Sequence, residues 1–531
     1  MRRLLCLLTA AGATLLTSCM VGPDYKTPKT DFAQEWTESA AKEGRPGVKE
    51  DPRWWRGFQD PTLDQLIEVA SRNNLTLQAA GVRVLEARAH LNKTIGELFP
   101  QQQGISGQVA YTKLGSALAA PPTARADQTT DQALFSASWE IDFWGKYRRS
   151  IESDRATFLG TLANYDNAMV TLIGDVASSY VSIRTTEERL RVADNNVKAQ
   201  KESLRIAEAQ FKAGATGERD VQQATTQLAQ TEAQIPGLQE SLRQTKNGLA
   251  LLLGETADKI DARLAGVSRI PQAPENVATG VPRDLLRRRP DVRAAELSAA
   301  SASALIGVAK ADLYPSFTLS GQFGFAAATG GSGSLSDIAN WPNRTMGLTG
   351  GFFMPIFNYG RLTNQVRVQD AQFQEAALNY RNTVLTAQRE VEDGLAAFLC
   401  QRLVVAQLTK AAAAAKRSTD LALVQYRNGQ TDYTTVILAE QTQLAVEDAL
   451  ASAQGNVVQG IVSVYRALGG GWEIREGRDV VPDDVKEEMK KRTNWGRVLE
   501  PAEHLPGAAN QSQTPPATGG DASKKTGEAK P

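Results

Sequence analysis

The chain has 531 residues, enough for two or three ordinary domains. Its 59 Lys and Arg balance its 59 Asp and Glu, so no net field draws it to nucleic acid or an anionic surface. Aromatics make up 6%, and Ala, Gln, Leu and Glu dominate long stretches, a mix that favours long helices over a compact mixed core.

The first residues follow a different rule. Met1-Arg2-Arg3 is a basic start, and Leu4 to Leu16 is an apolar run too short to span a bilayer comfortably, the form of an export signal. It closes on Leu16-Thr17-Ser18-Cys19, which resembles a bacterial lipobox. That resemblance implies that residues 1–18 are cleaved, that the Cys19 thiol takes a diacylglycerol (a palmitate-type modification) and that the new amino terminus is acylated. Met20, not Asp, follows, so the usual inner-membrane retention signal is missing. Several acyl chains anchor firmly where one binds only marginally. Cys6 leaves with the signal, so Cys400 is the single unmodified cysteine of the mature chain and no intramolecular disulfide can form. Its setting, Ala396-Ala397-Phe398-Leu399-Cys400, predicts a helical packing role.

The rest of the chain is written twice. Leu98-Phe99-Pro100 answers Leu313-Tyr314-Pro315, Phe143-Trp144-Gly145 answers Asn358-Tyr359-Gly360, Phe211-Lys212-Ala213-Gly214 answers Tyr426-Arg427-Asn428-Gly429, and Leu253-Gly254 answers Leu468-Gly469, all at an offset of 215. Each unit reads as helix, strand, strand, helix, helix. Thr62 to Phe99 is predicted as one helix closed by Pro100. Ile105, Gly107, Val109 and Tyr111 then alternate with Ser106, Gln108 and Ala110, the period of a strand. A second strand places Ala133, Phe135, Ala137, Trp139, Ile141 and Phe143 on one face. In the second unit Phe317, Leu319, Gly321, Phe323 and Phe325 alternate with Ser316, Thr318, Ser320 and Gln322. The partner strand aligns Met346, Leu348, Phe352, Met354 and Ile356. Runs of about ten residues suit membrane-spanning strands.

Two very long helices follow the hairpins, Lys146 to Lys212 and Arg361 to Arg427, each of 67 residues and so roughly 100 Å long. Each turns at a glycine, Gly214 or Gly429, into a shorter helix. Val221, Leu228, Ile235, Leu242 and Leu249 recur every seven residues, as do Ile437, Leu444, Ala451, Val458 and Tyr465, the pattern of a coiled-coil seam. Pro236-Gly237 should interrupt and bend the first of these. Helices 62–99 and 217–253 placed end to end match one long helix, which predicts a pillar of paired helices.

Four strands with one apolar face cannot cross a bilayer alone, because open edges leave backbone groups unpaired at several kcal/mol each. Closed membrane barrels begin at eight strands. One chain supplies four, so closure needs at least two chains. The loops 112–131 and 327–343, rich in Gly, Ala, Pro and Ser, suit solvent-facing tips. If they face outward, the helices hang into the periplasm, on the side of Cys19.

Cys19 with Val21-Gly22-Pro23-Asp24-Tyr25, the Trp54-Trp55 pair before Phe58, the paired glycine turns and the closing Ala467-Leu468-Gly469-Gly470-Gly471-Trp472 resemble the outer-membrane efflux lipoproteins, TolC-like factors of the OprM and NodT type. The resemblance covers roughly Met20 to Trp472. It implies an α+β protomer of a homotrimer, with a shared twelve-stranded β-barrel, a shared α-barrel and an equatorial collar. It also implies a periplasmic adaptor and an inner-membrane pump of the RND class as partners, in a tripartite efflux system. No cofactor beyond the lipid, no nucleic acid and no catalysis are implied: the channel conducts and the pump supplies the energy. An alternative is the channel of a type I secretion or heavy-metal export system. The corresponding division is a signal peptide at 1–18, a lipidated extended segment at 19–61, a first repeat at 62–254, a linker at 255–282, a second repeat at 283–471, an equatorial segment at 472–504 and a disordered tail at 505–531.

In TolC-like channels the periplasmic end is held shut by an Asp six residues after the first turn glycine, bonded to a Tyr three residues before the second. The matching positions are Asp220 and Tyr426. The family's basic reinforcement falls at Thr431 and its pore-narrowing acid at Leu438, so neither is matched; Asp432 and Glu440 lie nearby, off the family positions. Without the resemblance, Asp220 reads as a first-turn acid against the helix dipole and Tyr426 as an interhelical packing aromatic. The two histidines, His90 and His504, have no metal-site or triad spacing. Arg287-Arg288-Arg289 before Pro290-Asp291 reads as a solvated or capping group.

Overall fold

The computed structural model describes residues 20–30, 36–37, 52–113, 127–266, 268–274, 287–329, 338 and 340–500. The signal, Cys19, His504 and the tail lie outside them. The first unit holds α1 (Pro61–Asn73), α2 (Leu75–Gly96), β1 (Gln102–Lys113), β2 (Asp127–Ile141), α3 (Lys146–Lys212) and α4 (Glu218–Leu252). The second holds α5 (Pro290–Ala311), β3 (Ser316–Thr329), β4 (Arg344–Phe353), α6 (Arg361–Arg427) and α7 (Tyr433–Ala467); α8 (Asp483–Arg492) follows.

The repeat in the sequence is a repeat in the backbone. Gly145 and Gly360 have φ of +79° and +81°, Gly214 and Gly429 +73° and +68°, Gly254 and Gly469 +66° and +73°. At Gly214 the glycine N–H donates to Phe211 O and the next N–H to Gln210 O; at Gly429 the same bonds reach Tyr426 O and Gln425 O. Both are Schellman caps, which need the left-handed conformation that glycine adopts without a Cβ penalty.

The expected single helix 62–99 is two. Asn74 has an extended backbone, ends α1, and caps α2 by accepting from Leu77 N. Its amide also donates to Leu252 O at 3.0 Å, so α2 begins where α4 stops. The end-to-end pairing is therefore real, and Asn74 is its joint. In the second unit Arg289 makes the matching joint by donating to Ala467 O at the end of α7. The arginine is buried and also pairs with Asp291 and, at 2.9 Å, with Glu390. It caps a neighbouring helix and is not solvated.

Other expectations shift. α4 runs unbroken through Pro236; the site is exposed, so water can serve the carbonyl whose partner N–H is missing. Of the expected seam in α4, Leu249 is buried, but Val221, Leu228, Ile235 and Leu242 are only half-buried. Along the first half of the helix the buried stripe is Asp220, Ala224, Gln227 and Thr231. The seam in α7 lies closer to the heptad, with Leu444, Ala451 and Val458 buried. Cys400 is exposed and does not pack inside the protomer.

The main core lies at mid-height, around α1, the middle of α3 and the upper part of α7. There the Trp54-Trp55 pair meets the closing glycine motif: a Cβ on Gly470 would stand 3.3 Å from Trp54 and one on Gly471 3.4 Å from Trp55. Trp54 also stacks on Tyr465 at 5.0 Å. The segment after α7 folds back onto this core through Trp472, Val480, Val481, Met489 and Leu499. Gly81 permits the approach, since a Cβ there would lie 2.1 Å from Val480 O. Arg475 reaches inward to Asp166, with bonds of 2.6 and 3.1 Å.

Candidate functional site: the sheet and the helix tips

The strands form one antiparallel sheet in the order β1-β2-β3-β4. They are longer than the alternation suggested at their outer ends, which shortens both loops, and β4 stops before Met354 and Ile356. The register sorts the side chains by face. One row runs Ile105, Phe135, Phe323, Met346, and another Ile141, Phe317, Phe352. On the other face the rows are Gln102, Ser138, Ser320, Thr349 and Gly104, Ser136, Gln322, Gly347. The first face is apolar and exposed, with Ile105 85% and Met346 80% accessible. The second is polar, small and uncharged along these rows. A surface apolar outside and polar inside is that of a membrane barrel wall. β1 and β4 each keep one edge unpaired within the protomer.

Aromatic rings collect where the sheet meets the helices. Trp144 stacks on Tyr314 at 4.6 Å and meets Phe143 at 4.8 Å, and its Nε1 donates to Pro315 O at 2.8 Å. Such a belt suits the membrane–water interface. The described N-terminus is pinned here: Val21 N donates to Trp144 O at 3.0 Å, Asp24 pairs with Arg149 at 2.8 Å, and Met20 lies against Gly145. Cys19 is outside the described residues, yet the residue after it sits at this interface level.

At the opposite end, a second apolar cluster joins all four long helices: Ile206 and Ala207 of α3, Ala224 of α4, Ala422 and Tyr426 of α6, Tyr433 and Val436 of α7. Asp220 and Tyr426, both buried, are brought together here. The Tyr426 hydroxyl donates to Asp220 Oδ2 at 3.3 Å, which ties α4 to α6 across the two repeats. Burial, with Asp220 alongside, pushes the Tyr426 hydroxyl above its usual range. Gln210 adds a second tie, donating to Tyr426 O at 3.0 Å and Arg427 O at 3.2 Å. The pair is not repeated: the positions related by the offset hold Phe211 and Thr435. Thr431 only bonds Thr435, and Leu438 is 65% exposed.

Residues that the family pattern did not point to complete the cluster. Tyr433 meets Tyr426 edge-on at 5.0 Å, and its hydroxyl lies 3.1 Å from Ser203 Oγ. Glu440, 4% exposed, lies one turn beyond Val436 on the same face of α7. The buried series Tyr433, Val436, Glu440, Leu444 has helical spacing, so a carboxylate on the apolar stripe was visible in the sequence. Among the described residues no group of His, Cys, Asp or Glu is arranged to hold a metal ion.

The comparisons agree with this geometry. The model of the family described as outer membrane efflux protein matches residues 66–255 and again 281–470, two stretches separated by the same offset of 215. The chain is 32% identical to the pyoverdine export outer membrane protein OpmQ of Pseudomonas putida, covering 89% of this chain and 98% of that one. It is 30% identical to nodulation protein T of Rhizobium leguminosarum bv. viciae, over 86% of this chain and 92% of the relative. The solved outer-membrane channel OprN superposes with a TM-score of 0.80 at 31% identity, covering 86% of this chain and all 100% of that one. The chain therefore belongs to the outer membrane efflux protein family: it is a TolC-like α+β outer-membrane channel protein with a helical tunnel in the periplasm, and it is not an enzyme.

Proposed function

We propose that three copies of this chain close into one passive exit duct for drugs or other small molecules, fed by a periplasmic adaptor and an inner-membrane pump of the RND class. The observation that carries this reading is the four-stranded sheet with an apolar outer face and two unpaired edges. Unpaired edges are costly in hydrocarbon, and three copies supply twelve strands. The relative named for pyoverdine export supports an organic small-molecule cargo. The Asp220–Tyr426 bond is read as the lock that holds the periplasmic tips together, and Cys19 as the lipid attachment site.

The full-length protein, purified in detergent, is expected to run as a trimer that dissociates on heating and to give discrete conductance steps in planar bilayers. A monomer that gives no steps would overturn the reading. Replacing Cys19 with Ser is expected to abolish incorporation of radiolabelled palmitate. Label retained in that variant would place the lipid elsewhere.

A further inference from the structure

Glu440 is a carboxyl in the wrong place for a structural residue. It is buried in the tip cluster, and its Oε2 has no hydrogen-bond partner. The fold does not require it, because the position related by the offset of 215 is the exposed Thr225. Ser203 of α3 hydrogen-bonds the carboxyl and also meets the Tyr433 hydroxyl. Tyr433 in turn packs edge-on against Tyr426, the donor to Asp220. Glu440 is thus linked to the lock by hydrogen bonding through Ser203 to Tyr433 and then by ring packing from Tyr433 to Tyr426.

We propose that Glu440 is a proton-binding site that controls the lock: protonated, it keeps α3 and α7 packed above the tips, and ionised, it loosens them. This rests on reading Asp220–Tyr426 as the lock. The carboxyl meets Ser203 of α3, and Tyr433 of α7 feels its charge. The other buried polar side chains towards this end of the helices are Gln200 of α3, Asp220 and Gln227 of α4, and Thr419 and Tyr426 of α6. None is a cation. Cations at this end are exposed and already paired, Lys201 with Glu232 at 2.9 Å, Arg205 with Glu202 at 2.6 Å, Arg427 with Glu202 at 4.0 Å and Arg219 with Asp220 at 3.7 Å. Ser203 aside, no side chain brings a charge to bear on the carboxyl, so an anion created here meets no cation to neutralise it.

Burial accordingly pushes the Glu440 carboxyl up from 4.5 to about 7. When the tips part and water reaches it, the ordinary value returns. The closed form then binds the proton more tightly than the open one. Its advantage is complete below 4.5, falls as pH rises between 4.5 and about 7, and is gone above that. The separation caps the change in the closed-to-open ratio at on the order of 100-fold per protomer.

The test is the open probability of the full-length trimer in planar bilayers between about pH 5 and pH 8, for the wild type, Glu440→Gln and Asp220→Ala. Wild type is expected to open increasingly as pH rises, Glu440→Gln to stay closed throughout, and Asp220→Ala to be open at every pH. If Glu440→Gln does not assemble, Glu440→Thr, which borrows the residue of the first repeat, replaces it and is expected to lose the pH response. A wild-type profile flat with pH, or a response unchanged in the Glu440 variants, overturns the proton site while an open Asp220→Ala leaves the lock standing. An Asp220→Ala channel as closed as wild type overturns the lock, and the proton site with it.

Discussion

Combining Tyr426→Phe with Asp220→Ala is expected to raise the conductance of the reconstituted channel sharply. A buried hydrogen bond to a charged acceptor contributes about 1.5–3 kcal/mol. The Tyr426–Asp220 contact is long at 3.3 Å, well beyond the usual O–H···O distance, so the lower end applies. About 1.5 kcal/mol per protomer shifts the closed-to-open ratio roughly tenfold, and three protomers sharing one closed tip would compound the effect. The single variant Tyr426→Phe is expected to do more than lose this bond, because it leaves the Asp220 carboxylate buried beside an apolar ring. The Gln210 tie to Tyr426 O and Arg427 O uses backbone acceptors and survives both changes, so the variant should still fold and assemble. Single-channel recording reads the result directly: conductance unchanged in the double variant means that these residues do not hold the tips.

The largest loss of stability is expected from Arg475→Ala. Asp166 is 1% exposed at its side chain and receives both bonds of the Arg475 guanidinium. Burial already pushes the Asp166 carboxyl upward, with Arg475 opposing. Removing the arginine strands that carboxylate at a cost of about 3–5 kcal/mol. It also strips a ring contact from Trp472, over which Arg475 lies at 5.8 Å, and so loosens the returning C-terminal segment. Pairing Arg475→Met with Asp166→Leu is expected to recover most of the loss, since a buried ion pair replaced by apolar volume is often neutral. Recovery should be incomplete, because Arg293 is half-buried, its guanidinium is already disfavoured by burial, and Asp166 is the first charge that supports it. Thermal unfolding followed by circular dichroism in detergent measures both variants against the wild type; a single variant as stable as wild type would show that the pair is solvated in the assembled protein.

These two sites differ in how far the sequence foretold them. The Asp220–Tyr426 pair was legible only through the resemblance to TolC-like channels, whose pattern is counted from the turn glycines Gly214 and Gly429, and the structure puts the two in contact. Arg475 and Asp166 are 309 residues apart, in elements with no shared period, and no local pattern links them. The arginine run leaves a solvated and a capping role open for Arg289, and capping is the one found. The carbonyl it caps, at the end of α7, is 178 residues away, and no local pattern names it. Asn74 carried a cue, the Asn-Asn pair, but the helical pattern on both sides concealed it.

The sequence by itself determined the doubled protomer, the ends of both 67-residue helices, the glycine turns and the two faces of each strand. All of these are set within a few residues, by backbone sterics at glycine or by the periods of 2 and 3.6. Only the tertiary structure decided which side of α4 is deepest, where α2 meets α4, and that Glu440, Arg289 and Asp166 are shielded from water. Burial depends on what a distant segment covers. A helix's own period names the candidates for its inner face, but the neighbour that arrives there decides which of them is dry.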